Sequence, residues 1–153
     1  MTRILLDTTY LLPAAGISVQ GVAADVLRRV RAEGHEVVIS EISLFELLAK
    51  GAKLAAEGRA DQERIYLAAR SILQDKGVER IAAYGDAVVK RSISLRRYHH
   101  DFVDCMILAS ALEACEALMT EDETLSRSKG VQDIIKETRP GFVISGWKNL
   151  MRK

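Results

Sequence analysis

Two hydrophobic patterns alternate along the chain. Continuous apolar runs occur at RILL (3–6), EVVIS (36–40), EALM (116–119) and GFVIS (141–145). Short runs of this kind, bounded by polar residues, read as strands buried on both faces. VERIAAY (78–84) offers one more short strand. The intervening segments repeat their apolar residues at helical spacing. From Val19 to Glu33, the residues Val22, Val26, Leu27 and Val30 share one face, and Gly34 closes the segment as a helix C-terminus does. Ser40 is placed to cap a helix running through Lys50 or beyond. Further helices are expected over Ala60–Lys76, closed by Gly77, over Asp86–Leu95, over Asp101–Cys115 and over residues 122–136. A tail with Trp147 and Lys148 follows the last strand.

Strands separated by crossovers this long cannot be hairpins, so the pattern predicts an α/β fold with a parallel sheet covered by helices. With 153 residues, the chain suits a single domain spanning 1–153 with a sizeable core. The helix-rich middle, 41–97, is long for one crossover and is expected to pack as an arm beside or over the sheet.

Composition narrows the picture only a little. Net charge is +1, so any binding of a polyanion must come from a local patch rather than a global field. The apolar start is interrupted by Asp7, which fits neither a signal peptide nor a membrane span. Cys105 and Cys115 form no CxxC motif and read as buried free thiols in a reducing, cytoplasmic setting.

The chemistry lies in acids at unusual places. Asp7 ends the first strand, and Asp122 follows the EALM strand after Thr120 and Glu121. Open parallel sheets collect ligands at the carboxyl ends of their strands, so these two acids are placed to meet there. Asp104 has Ile107, Leu108 and Ala111 on its own helix face, where a lone charge is costly. Glu46 is the only charge within ISLFELLA (42–49), with Lys50 one turn on as an innocent partner. Asp101 reads first as a helix N-cap. Clustered carboxylates cannot all ionise without a cation, and hard oxygen donors suit Mg²⁺ or Mn²⁺, which points to phosphoryl chemistry.

These residues resemble those of the PIN domain family, which includes VapC-type toxin ribonucleases and related metal-dependent nucleases. The resemblance rests on LLDTTYLL (5–12), SLFELLAKG (43–51) and, most specifically, DCMILASALEACEALMTEDETL (104–125). It implies a three-layer α/β/α fold around a parallel sheet of four to five short strands. It also implies an endoribonuclease acting on phosphodiester bonds, with Asp7, Glu46, Asp104 and Asp122 as catalytic metal ligands and Asp101 as an additional candidate. Thr120 matches a supporting hydroxyl. Thr8 would position a carboxylate or water, although a hydroxyl at a strand end serves local backbone equally well. The family commonly has Asn two places after the first Asp, where this chain has Thr9. The resemblance further implies a toxin with an antitoxin partner, commonly a homodimer, with no membrane association.

An acidic pocket repels a polyanion, so substrate contacts must come from its rim. KRSISLRRYHH (90–100) leads into Asp101 and offers Lys90, Arg91, Arg96 and Arg97, with Tyr98 to stack on an unpaired base of single-stranded RNA. His99 and His100 are placed to contact phosphate, and Arg127 and Lys129 could extend the rim. A solvated helix end explains the same run. No histidine has ligand-like spacing with an acid or thiol, so no zinc site is expected. A haloacid-dehalogenase-type phosphatase requires a second Asp at the position of Thr9 and is disfavoured. A PIN-like module that binds RNA or protein without cleaving, and an ordinary α/β domain with scattered surface acids, are the alternatives. Convergence of Asp7, Asp104 and Asp122 separates the latter from a nuclease.

Overall fold

The computed structural model describes residues 1–151. The chain opens with β1 (Arg3–Leu6), two short 3₁₀ turns (Thr8–Tyr10 and Leu12–Ala15), α1 (Val26–Ala32) and β2 (Glu36–Ser40). There follow α2 (Glu41–Ala56), α3 (Gln62–Gln74), β3 (Val78–Ile81), α4 (Asp86–Leu95) and α5 (Phe102–Ala114). The chain then forms β4 (Ala117–Met119), α6 (Glu123–Arg127), α7 (Lys129–Thr138), β5 (Val143–Ser145) and α8 (Trp147–Leu150). The strands form one parallel sheet in the order β3-β2-β1-β4-β5. Helices cover both faces, giving the expected three layers.

Alternation along the strands divides the core in two. Leu5, Val38 and Leu118 point to one face, packing with α4, α5 and α7 through Leu95, Leu108 and Ile135. Ile4, Leu6, Val37 and Met119 point to the other, packing with α1, α2 and α3 through Val30, Leu47 and Ile65. The middle of the chain is therefore not an arm. Helices α2 and α3 form one outer layer, β3 extends the sheet, and α4 crosses to the opposite face. Gly51 makes the contact between α2 and α3 close, because a Cβ there would lie 2.8 Å from Ile65 Cγ2.

Side-chain caps start most of the helices. Ser40 accepts from the Ile42 N–H at 3.2 Å, Asp61 from Glu63 at 3.0 Å and Asp101 from Val103 at 2.9 Å. Two expected helices differ from the pattern reading. The helix expected over 19–33 begins only at Val26, because Gly21 takes φ +79° and residues 19–25 form turns. The helix expected over 122–136 is broken at Ser128, whose extended backbone (ψ 119°) ends α6 while its hydroxyl caps α7.

This topology places the site. The connections from β1 lead out to β2 and β3 on one side, and the chain returns to lay β4 on the other. Such a reversal opens a crevice at the strand carboxyl ends, where ligands of α/β sheets bind. Leu6 pairs with Met119 in register, so the next residues, Asp7 and Thr120, leave the sheet side by side.

Candidate active site

Asp7 is fixed from two directions. Its backbone N–H continues the ladder to the Met119 carbonyl at 3.0 Å. Its Oδ1 accepts from the Thr8 N–H at 2.7 Å, and its Oδ2 accepts from the Thr120 hydroxyl at 2.9 Å. Only 9% of the residue is exposed. Burial pushes its carboxyl above the usual range, against the pull of the Thr120 and Thr8 hydrogen bonds, and Glu46 adds a further push that Lys50 opposes. Thr120 Oγ1 also accepts from the Asp122 N–H at 3.1 Å, so one hydroxyl ties the ends of two strands together.

Asp122 caps α6. Its Oδ1 accepts from the Thr124 N–H at 2.9 Å, the Thr124 hydroxyl at 2.6 Å and the Leu125 N–H at 3.3 Å, leaving Oδ2 to face the cluster. Burial raises this carboxyl, but the hydrogen bonds from Thr124 and Leu125 and the nearby His99 outweigh it and hold Asp122 below the usual range. Asp104 arrives from the first turn of α5. Burial pushes it up to about 6, with Asp7 and Asp101 adding to the rise and the hydrogen bond from His99 opposing it. Glu46, on α2, pairs with Lys50 at 3.6 Å with its side chain 15% exposed. It stands within electrostatic reach of Asp7.

The structure therefore groups Asp104 and Asp122 around His99. Asp7 lies outside that group of donors but is tied to the same strand ends through Thr120 and stands within electrostatic reach of Asp104, with Glu46 within reach of Asp7 in turn. Asp101 serves as N-cap through Oδ1, accepting from Val103 and, at 3.4 Å, from Asp104. Thr8 supports Asp7 through its backbone. Its hydroxyl is buried with no hydrogen-bond partner among the described residues. Thr9 lies half-buried in the first 3₁₀ turn. Glu121 turns away from the cluster and accepts from the Tyr10 hydroxyl and the Trp147 N–H.

His99, to which the sequence gives no ligand-like spacing, folds into the site: its Nε2 lies 2.9 Å from Asp104 Oδ2 and 3.6 Å from Asp122 Oδ2. The three donor atoms lie within 4.8 Å of one another. The link is tertiary, because the turn between α4 and α5 folds His99 back over the start of α5, and Asp122 comes from the start of α6, after β4. The five-residue step from His99 to Asp104 crosses a helix break and matches no ligand spacing, so the sequence carried no signal for it.

The basic rim is narrower than the sequence suggested. Arg91 is engaged by Glu113 at 2.9 Å. Arg96 and Arg97 are exposed and make no ion pair among the described residues, and one Arg96 N–H donates to the His99 carbonyl at 3.2 Å. Tyr98 is half-exposed beside α7, where a Cβ on Gly130 would run into its ring. The thiols of Cys105 and Cys115 are free and buried, and burial pushes both up to about 11. No helix among the described residues is long and apolar enough to cross a membrane.

Known proteins place this architecture. The PIN domain family model matches residues 4–131. No curated protein sequence is significantly similar to the chain. Among solved structures, the chain is similar to VapBC2 of Rickettsia felis bound to a DNA fragment from its promoter. That similarity has 16% identity and a TM-score of 0.59, covering 95% of this chain and 98% of the other. It is also similar to VapC20 of Mycobacterium tuberculosis, a Sarcin-Ricin loop cleaving toxin. That similarity has 19% identity and a TM-score of 0.55, covering 78% of this chain and 89% of the other. At these identities the likeness is one of fold.

Proposed function

The chain belongs to the PIN domain family, and on that footing we propose that it is a divalent-metal-dependent nuclease, an endoribonuclease serving as the toxin of a toxin–antitoxin pair. The observation that supports this reading is the pairing of Asp104 and Asp122 around His99 at the carboxyl end of β4, with Asp7 tied to the same strand ends through Thr120 and close enough to Asp104 to raise its carboxyl. The donor set fits a cation. Asp7 is buried and Asp104 half-buried, and both carboxyls are held above their usual range, partly by other acids nearby. Like charges in one site call for a counter-ion, and carboxylate oxygens suit Mg²⁺ or Mn²⁺.

Asp7, Asp104 and Asp122 would hold the ion, with Glu46 completing the set directly or through water. When bound, the ion supplies Lewis acidity, activating water and neutralising charge at a phosphodiester. The chain's own contribution is orientation. Thr120 and the Thr8 N–H lock both oxygens of Asp7, and the start of α6 locks Asp122. Both acids are thereby held on rigid elements. Arg96, Arg97 and the exposed His100 meet backbone phosphates at the rim, and Tyr98 offers a stacking face to an unpaired base.

The exposed Phe45 and Leu48 of α2, with Tyr66 and Leu67 of α3, give an apolar surface suited to an antitoxin or a second copy of the chain. The reduced, buried thiols fit a cytoplasmic protein. The test is cleavage of single-stranded RNA and of single-stranded DNA with Mn²⁺, with Mg²⁺ and with chelator. Metal-dependent cleavage of RNA, lost in Asp7→Asn, supports the reading. Absence of cleavage of either polymer together with undetectable ion binding overturns it.

A further inference from the structure

We propose that His99 is a nitrogen ligand of the site's divalent ion, and that this makes the site favour Mn²⁺ over Mg²⁺. The inference rests on the ion-binding reading above. It starts from where His99 is fixed. The residue is 5% exposed, and its Nε2 faces two carboxylates contributed by separate elements, Asp104 of α5 and Asp122 at the start of α6. Its backbone is held as well, because the His99 carbonyl accepts from Arg96 at 3.2 Å, with the Cys105 thiol at 4.0 Å. The ring is therefore part of the site's wall and not a mobile surface group.

The spacing fits coordination. Donors on one small divalent ion sit ~2.1 Å from it, so adjacent donors in an octahedron lie about 3 Å apart and opposite ones about 4.2 Å apart. Nε2 stands 2.9 Å and 3.6 Å from the two carboxylate oxygens, and all three atoms fall within 4.8 Å of one another. A hydrogen on Nε2 satisfies Asp104 while the carboxylates hold no ion. With an ion between them, that hydrogen would point at a cation. The compatible state is the neutral ring with its hydrogen on Nδ1 and the Nε2 lone pair directed at the metal. Imidazole suits the later first-row transition ions best; Mn²⁺ favours oxygen but, as a transition ion, admits a nitrogen donor more readily than Mg²⁺, which keeps an oxygen shell. One nitrogen among carboxylates therefore shifts preference toward Mn²⁺.

The test reads the metal and not turnover. Electron spin-echo envelope modulation on the Mn²⁺-loaded full chain reports nitrogen bound to the ion. Nitrogen coupling in the wild type, lost in His99→Gln that still binds Mn²⁺, is the expected result. Calorimetric titration should show Mn²⁺ affinity falling about 10-fold or more in that variant, with Mg²⁺ affinity changed much less. Should His99→Gln fail to fold, the double variant His35→Gln with His100→Gln decides the assignment, because the coupling must persist in it. Mn²⁺ bound to the wild type with no nitrogen coupling overturns the inference and leaves the carboxylate site standing. A wild-type chain that binds no Mn²⁺ overturns both.

Discussion

Asp104→Asn should make the metal-free protein more stable while disabling the site. In the folded chain the Asp104 carboxyl is pushed up to about 6, chiefly by burial, whereas an unfolded chain leaves it near ~3.9. Ionising it therefore costs more in the folded state. The sign follows from linkage: the penalty is absent below about pH 4, grows as pH rises, and is complete above about pH 6. A rise from ~3.9 to about 6 corresponds to a ceiling of about 3 kcal/mol. The side chain keeps 18% of its exposure, so solvent screening brings the expected penalty to about 1–2 kcal/mol. Asparagine keeps an oxygen to accept from His99 and carries no charge. At ~2–4 °C per kcal/mol for a chain of this size, Asp104→Asn should raise Tm by about 2–8 °C at about pH 7.5 in EDTA. The gain should vanish at about pH 4. Thermal melts followed by circular dichroism at both pH values measure it. A variant less stable than wild type at the higher pH, or an equal gain at both, would refute a desolvated, repelled carboxylate at this position.

Other outcomes follow from the same contacts. Thr120→Val removes the donor to Asp7 Oδ2 and leaves a buried carboxylate oxygen unpaired, which should lower unfolding free energy by about 1.5–3 kcal/mol in urea titrations; no loss would show that Asp7 is solvated. Arg96→Ala with Arg97→Ala should reduce the slope of log affinity against log salt for single-stranded RNA by about 1.4, at ~0.7 per phosphate contact. An unchanged slope assigns both arginines to the helix end alone. Gly130→Ala should displace the Tyr98 ring and weaken single-stranded RNA binding by about 1–3 kcal/mol, the worth of one stacked base, without altering Mn²⁺ affinity.

The strands were legible because parallel strands buried on both faces need continuous apolar runs, and RILL, EVVIS and EALM have no other good reading. The start of α4 at Asp86 and its end at Leu95 were equally plain, since apolar spacing and polar flanks coincide there. The break at Ser128 was hidden because the apolar spacing continues across it. Only the hydroxyl's choice to cap α7 shows where one helix stops. Gly21 concealed the late start of α1 in the same way, since a single glycine does not declare its backbone angle. At the site, the acids could be picked out one by one because each interrupts an apolar stretch. His99 could not, because it lies in a basic, polar run where a histidine costs nothing locally. Its partners come from α5 and from the end of β4, and no spacing rule spans that distance.

The central claim is that Asp7, Asp104 and Asp122 share one divalent ion, and the direct measurement is an anomalous difference map at the manganese edge from a crystal of the protein soaked in Mn²⁺. The expected result is a peak in the crevice between β1 and β4, about 2.1–2.3 Å from an oxygen of each of the three carboxylates. No peak at that crevice, or one coordinated by acids elsewhere on the chain, would contradict it.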